Sequence, residues 1–133
     1  MKDIVIDTNI VIWYFGDYSR LSPSAETTID DVVESGTVFV ASITIVELTY
    51  LLEKNRIPLE VLDKLREALD DESTSFRLAE LTRRVAEDVQ RIDRSIVGDM
   101  PDRIIAATAL HLDLPLLTSD GNIQKLTNVE TIW

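Results

Sequence analysis

Ile4-Val5-Ile6 is a short, uninterrupted, β-branched run, the pattern of a strand covered by protein on both faces. Runs of this kind, alternating with helical segments, restrict the fold more than any other feature of the chain. "TVFVASIT" (37–44) reads as a second buried strand, "STSFRLAEL" (73–81) contains a third, "LPLLTSD" (114–120) is a fourth running into a turn, and "VETIW" (129–133) a fifth. Helical patterns fill the intervals. Ser22-Pro23 supplies a cap and a first-turn proline ahead of Ala25, Ile29, Val32 and Val33, with Gly36 as the stop. Ile45, Leu48, Leu51 and Leu52 form a stripe ending near Asn55, and Pro58 opens a helix carrying Leu62, Leu65 and Leu69. Thr82 is expected to start a long helix with Val85, Val89, Ile92 and Ile96 on one face, stopped by Gly98. The helix through "PDRIIAATALHLD" (101–113) is apolar nearly all round and should be well buried. Strands alternating with helices predict an α/β fold: a doubly wound, mainly parallel five-stranded sheet with helices on both faces. At 133 residues, 1–133 is expected to form a single domain. In such sheets ligands bind beyond the carboxyl ends of the strands.

Charge narrows the function. The net charge of −11 opposes a broad phosphate-binding face, so any phosphate chemistry needs bound cations or local arginine patches. Without cysteine there is no disulfide framework and no zinc–thiolate site, which fits a reducing, cytoplasmic location. No stretch reaches the roughly 18 apolar residues of a membrane span. Met1-Lys2-Asp3 leads straight into the first strand, without the pattern of a cleaved leader.

Four acids fall at matching places. Asp7 follows the first strand, Glu47 lies early in the helix after the second, Asp102 sits in the first turn of the 101–113 helix, and Asp120 ends the fourth strand. Each has an ordinary explanation. Asp7 with Asn9 makes a turn or a helix cap. Thr44 to Glu47 matches a capping box, Asp99 to Asp102 a cap followed by a first-turn acid, and Ser119-Asp120-Gly121 a turn. In a parallel sheet, however, strand ends and the helix starts that follow them share one edge. Carboxylates gathered there repel one another until some protonate or a divalent cation enters. An all-oxygen ligand set suits Mg²⁺ or Mn²⁺, whose usual chemistry is phosphoryl or phosphodiester transfer through an activated water. A metal partner would explain a carboxylate at Asp7 amid apolar neighbours, with Thr8 and Asn9 adding polar contacts.

The segments "VIDTNIVI" (5–12), "ASITIVELTYLLE" (41–53), "GDMPDRIIAATAL" (98–110) and "LLTSD" (116–120) together resemble a PIN domain, and are most similar to VapC-type ribonuclease toxins of prokaryotic toxin–antitoxin pairs. The resemblance implies a metal site formed by Asp7, Glu47, Asp102 and Asp120, with Asn9 and the hydroxyls of Thr118 and Ser119 beside it. It also implies Mg²⁺-dependent RNA cleavage, a homodimer and a cognate antitoxin protein. An acidic cleft invites a basic antitoxin segment, with an arginine filling the space of the metal.

Other residues read more plainly. Asp99 is the helix cap, with a contact to the metal through one of its ligands as the alternative. Arg103, beside the start of the metal-site helix, is a candidate phosphate contact. Arg83, Arg84, Arg91 and Arg94 read as a solvated face with i,i+4 pairs such as Arg83 with Glu87, an RNA-phosphate patch being the sharper alternative. The lone His111 is expected to be packed, and Trp13, Tyr14 and Phe15 to pack in the core or a dimer. Competing functions are a PIN nuclease of RNA processing without an antitoxin, and an aspartyl-phosphate phosphatase. The phosphatase chemistry needs a second acid two residues after the nucleophile, where Asn9 stands, and a lysine near "LLTSD", which has none. A degenerate, non-enzymatic PIN module would have lost acids, and all four are present.

Overall fold

The computed structural model describes residues 3–133; Met1 and Lys2, read above as the approach to the first strand, lie outside the described residues. β1 (Asp3–Ile6) sits at the centre of a five-stranded sheet of order β3-β2-β1-β4-β5. β2 (Thr37–Ala41), β3 (Phe76–Ala79), β4 (Leu116–Leu117) and β5 (Thr131–Ile132) complete it, and every pairing is parallel. All carboxyl ends therefore emerge on one edge. β1 is where the winding reverses, because its chain continues to β2 on one side while β4 returns on the other, and crevices open at such reversals.

Each face of the sheet carries its own apolar layer. Ile4 and Ile6 point into one, with Ile10, Ile29, Leu62 and Leu65 from α1 (Thr8–Gly16), α2 (Pro23–Ser35) and α4 (Leu59–Asp70). Val5 points into the other, with Val85 from α5 (Arg83–Asp88) and Ile105, Ala106 and Ala109 from α6 (Met100–Leu112). The alternation of β1 residues between two buried layers is why that strand is apolar from Ile4 to Ile6. The predicted fold class is thus the observed one.

Several boundaries differ from the sequence reading. α1 was not assigned from the sequence, yet it begins one residue after Asp7, whose Oδ1 accepts from the Ile10 amide at 3.0 Å. β2 stops at Ala41 and α3 (Ser42–Glu53) starts at once, so 42–44 is helix and not strand. The long helix expected from Thr82 is broken. Thr82 does cap α5, accepting from the Val85 amide, but the helix ends at Asp88 and passes into a 3-10 turn at Val89–Arg91. Asp93 then accepts from both the amide and the hydroxyl of Ser95, a local arrangement that competes with helix continuation. Ser22 and Asp99 are caps as expected, accepting from the amides of Ala25 and Asp102. His111 is not packed: it stands exposed on α6 with Nδ1 3.3 Å from Asp88 Oδ2. Trp13, Tyr14 and Phe15 are half-buried against the α1–α4 layer, and the Arg83–Glu87 pair forms at 3.6 Å with both side chains well solvated.

Candidate active site

Asp7, Glu47, Asp102 and Asp120 line one cleft of about 260 Å³ at the carboxyl edge of the sheet, together with Thr8, Asn9 and Leu51. The sequence argument for convergence therefore holds in three dimensions. Among the described residues no lysine or arginine lines this cleft.

Asp7 is buried, and two donors hold it: the Ile10 amide on Oδ1 and the Thr118 hydroxyl on Oδ2. The carboxylate is thus a helix cap and a cleft residue together. The helix-cap reading of Asp7 is borne out, and its polar contacts come from Ile10 and Thr118. They do not compensate its charge in full. Burial, with further repulsion from Asp120 and Glu47, pushes its pKa up to about 6 despite both hydrogen bonds.

Thr118 is fully buried and does double duty. Its oxygen accepts from the Asp120 amide at 3.0 Å while its hydrogen goes to Asp7, so one hydroxyl sets the spacing of two acids. Asp120 Oδ1 in turn accepts from the amides of Asn122 and Ile123 at 2.8 and 3.0 Å. Ser119, implied as a neighbour of the site, is half-buried and is not among the residues lining the cleft.

Glu47 corrects the capping-box reading. α3 begins two residues before Thr44, with Ala41 at the cap position and no side-chain cap. Glu47 Oε1 instead accepts from the Thr8 hydroxyl at 2.6 Å. Thr8 Oγ1 lies 3.1 Å from Thr44 Oγ1; since the single Thr8 hydrogen goes to Glu47, Thr44 is the donor to Thr8. Thr44 is fully buried under the site and was missed as a functional residue because its sequence position matched a cap. Burial raises the Glu47 pKa, and Asp99 adds repulsion.

Asp102 is the least compensated of the four. It stands half-buried in the first turn of α6, and burial plus repulsion from Asp99, Asp120, Glu47 and Asp7 pushes its pKa up to about 7. Asp99 Oδ2 caps α6 by accepting from the Asp102 amide at 3.1 Å, so it acts from behind the cleft. Arg103 points elsewhere: its Nη2 donates to the carbonyls of Val89 and Ile92 at 2.9 and 3.0 Å.

The donor set is carboxylate and hydroxyl oxygen throughout, which suits a hard divalent cation. Two acids held well above their ordinary range register burial and mutual repulsion that no cation among the described residues offsets. Among the described residues no three such groups are already drawn together as a finished ligand cage. Like charges left facing one another across a cleft keep apart.

The Thr118 bridge carries a prediction. Thr118→Val keeps the shape but deprives buried Asp7 of one of its two donors, which should destabilise the protein by about 1–3 kcal/mol at pH 7.5. The loss should shrink at pH 5, where Asp7 is protonated. Urea melts at both pH values measure this; an equal loss at both would show that the hydroxyl serves packing and not the carboxylate.

Sequence comparison matches residues 4–129 to the PIN domain. A ribonuclease of Mycobacterium tuberculosis, VapC22, is 28% identical over 135 residues, spanning 100% of both chains. Among solved structures, VapBC2 from Rickettsia felis, bound to a DNA fragment from its promoter, superimposes with a TM-score of 0.74 at 17% identity, covering 98% of this chain and 97% of the other. FitAcB from Neisseria gonorrhoeae does so with a TM-score of 0.64 at 26% identity, covering 98% and 96%.

Proposed function

Because the chain belongs to the PIN-domain family, we propose that it is an Mg²⁺-dependent endoribonuclease, the toxin of a type II toxin–antitoxin pair. The observation that carries this reading is the convergence of Asp7, Glu47, Asp102 and Asp120 on one cleft that no lysine or arginine among the described residues lines. The likeness to a ribonuclease named VapC22 supports RNA as the substrate, and the likeness in fold to VapBC2 favours the toxin role over a free-standing processing nuclease. A cytoplasmic location accords with the absence of cysteine.

Those four acids would hold the ion, with Mn²⁺ as its substitute. When bound, Mg²⁺ supplies a Lewis acid that acidifies water and offsets charge developing on a phosphate. The chain's own part is to fix the ligands. Thr118 and the Ile10 amide orient Asp7, Thr8 orients Glu47, and two backbone amides hold one oxygen of Asp120 while leaving the other free. The exposed Asn9 amide, at the cleft wall, is placed to donate to a phosphate oxygen. A homodimer and a cognate antitoxin belong to the same reading, the antitoxin offering a guanidinium to these carboxylates.

The test is cleavage of single-stranded and structured RNA with Mg²⁺ or Mn²⁺, silenced by EDTA. Attack by water leaves a 5′-phosphate on the downstream fragment. A 2′,3′-cyclic phosphate would mean that the ribose hydroxyl attacked, and the mechanism would be wrong.

A further inference from the structure

A ribonuclease of net charge −11 with an acidic reaction cleft must hold a polyanion somewhere else. A recess of about 440 Å³ lies on the α5–α6 side and is lined by Gln90, Arg91, Ile92, Asp93, Arg94 and Arg103. It gathers three guanidinium groups and one carboxylate. That carboxylate is engaged, since Asp93 Oδ1 accepts from the Ser95 amide and hydroxyl at 2.9 and 2.7 Å.

We propose that the recess of Arg91, Arg94 and Arg103 is the subsite that grips a backbone phosphodiester of the RNA, one residue along α6 from the acidic cleft. This rests on the ribonuclease reading above. Consecutive residues on a helix diverge by about 100°, so Asp102 faces the cleft while Arg103 faces the recess.

Arg103 is fixed in advance. Its Nη2 is bound to two carbonyls of the turn that follows α5, which places the guanidinium plane before any ligand arrives. Among the described residues it forms no ion pair, and its buried Nε has no hydrogen-bond acceptor. Asp93 is the carboxylate that Arg103 feels, but Ser95 holds it and the two form no ion pair, so the part-buried guanidinium favours an anion brought to its open edge. A purely structural staple would need only the Nη2 contacts and would not explain the two arginines beside it. Arg94 likewise has no ion pair among the described residues, and Arg91 has only a 3.9 Å contact with Asp88 at a side chain 60% exposed, which is weak. Planar guanidinium groups suit phosphodiester oxygens, and three of them supply what the rest of the surface withholds.

The experiment measures binding, so it does not depend on cleavage. A fluorescent single-stranded oligoribonucleotide is titrated with Ca²⁺ replacing Mg²⁺, across a range of salt concentrations. Arg91→Gln/Arg94→Gln removes two exposed charges and leaves the Arg103 contacts intact. Kd should rise about tenfold, and the slope of log K against log salt should flatten by about 1.4, that is 0.7 for each lost phosphate contact on a single strand. Arg66→Gln on α4, on the opposite face of the sheet, makes a single charge change and should leave the slope unaltered. Equal affinity and slope in the double variant and wild type would overturn the proposal, while wild-type cleavage of the same RNA with Mg²⁺ would leave the ribonuclease reading standing. Inorganic phosphate at constant ionic strength separates the other source of the ligand. If it binds wild type without displacing RNA, the recess is a free-anion pocket and the proposal falls. If wild type neither binds nor cleaves any RNA, both readings fall together.

Discussion

Asp102→Asn should abolish RNA cleavage and yet melt at a higher temperature than wild type in EDTA. The substitution removes the least compensated acid of the cleft while keeping its size. It does not disturb the cap of α6, which Asp99 provides through the Asp102 amide and not its side chain. A pKa of about 7 at this position would correspond to about 4 kcal/mol of repulsion and desolvation against an ordinary aspartate. At a half-exposed site solvent screening leaves about 1 kcal/mol of that, or roughly 3–5 °C in Tm for a domain of this size. Mg²⁺ should raise the wild-type Tm, by about 2.7 kcal/mol at a hundredfold excess over its dissociation constant, and raise the variant much less. Paired melts with Ca²⁺ and ionic-strength controls separate ligation from general screening. A variant that melts well below wild type in EDTA, with equal Mg²⁺ shifts for both, would make Asp102 a structural residue.

Metal-free protein should be most stable near pH 4 and lose stability as the pH rises to 8. The sign follows from the direction of the shifts. Asp7 and Asp102 hold their protons to about pH 6 and about pH 7 in the folded state, whereas the unfolded chain releases them near pH 4. Between these values the folded state binds more protons, so stability falls with rising pH. The contribution is full below the unfolded pKa and is lost through the folded ones. Asp7, almost wholly buried, accounts for about 2–3 kcal/mol of that loss. On the acid side the trend reverses, because Ser95 holds Asp93 and Ser73 holds Asp71 below the ordinary aspartate range, and both stabilising contributions fade as those groups protonate. Saturating Mg²⁺ should erase the alkaline fall and have no effect below pH 5. Thermal melts at pH 4, 5, 6, 7 and 8 with EDTA or Mg²⁺ decide this. A metal-free Tm that is flat from pH 5 to 8 would mean that the cleft acids are not in repulsion.

The sheet was legible in the sequence because each strand is brief and the central β1 and β2 are rich in β-branched residues, with helical patterns between the strands. α1 was not, for a physical reason. Ile10-Val11-Ile12-Trp13-Tyr14-Phe15 is apolar on every side and rich in residues that favour strands, so no amphipathic signal marks it as helix. Only the Asp7 side chain on the Ile10 amide reveals where the helix begins. The opposite error arose at 89–96, where Val89, Ile92 and Ile96 keep helical spacing but Asp93 and Ser95 bond locally and divert the backbone. At the site, the four acids were legible as a set because parallel topology brings strand ends to one edge. Their supports were less so. Thr44 and Glu47 lie three apart as in a capping box, and only the approach of Thr8 from α1 shows that Glu47 reaches across to another helix.

The central position of β1 also orders events during synthesis. Asp7 is made long before the hydroxyl that locks it, which belongs to Thr118, the residue following the two-residue β4 that is flanked in turn by β5 at Thr131–Ile132. The Thr118 amide donates to the Ile132 carbonyl, so the last strand anchors the residue that ties Asp7 to Asp120. Until that C-terminal stretch is free to pair, the cleft has its first acids but neither its fourth nor the bridge between them. A growing chain of this design completes its cleft only once residues 131–132 can pair.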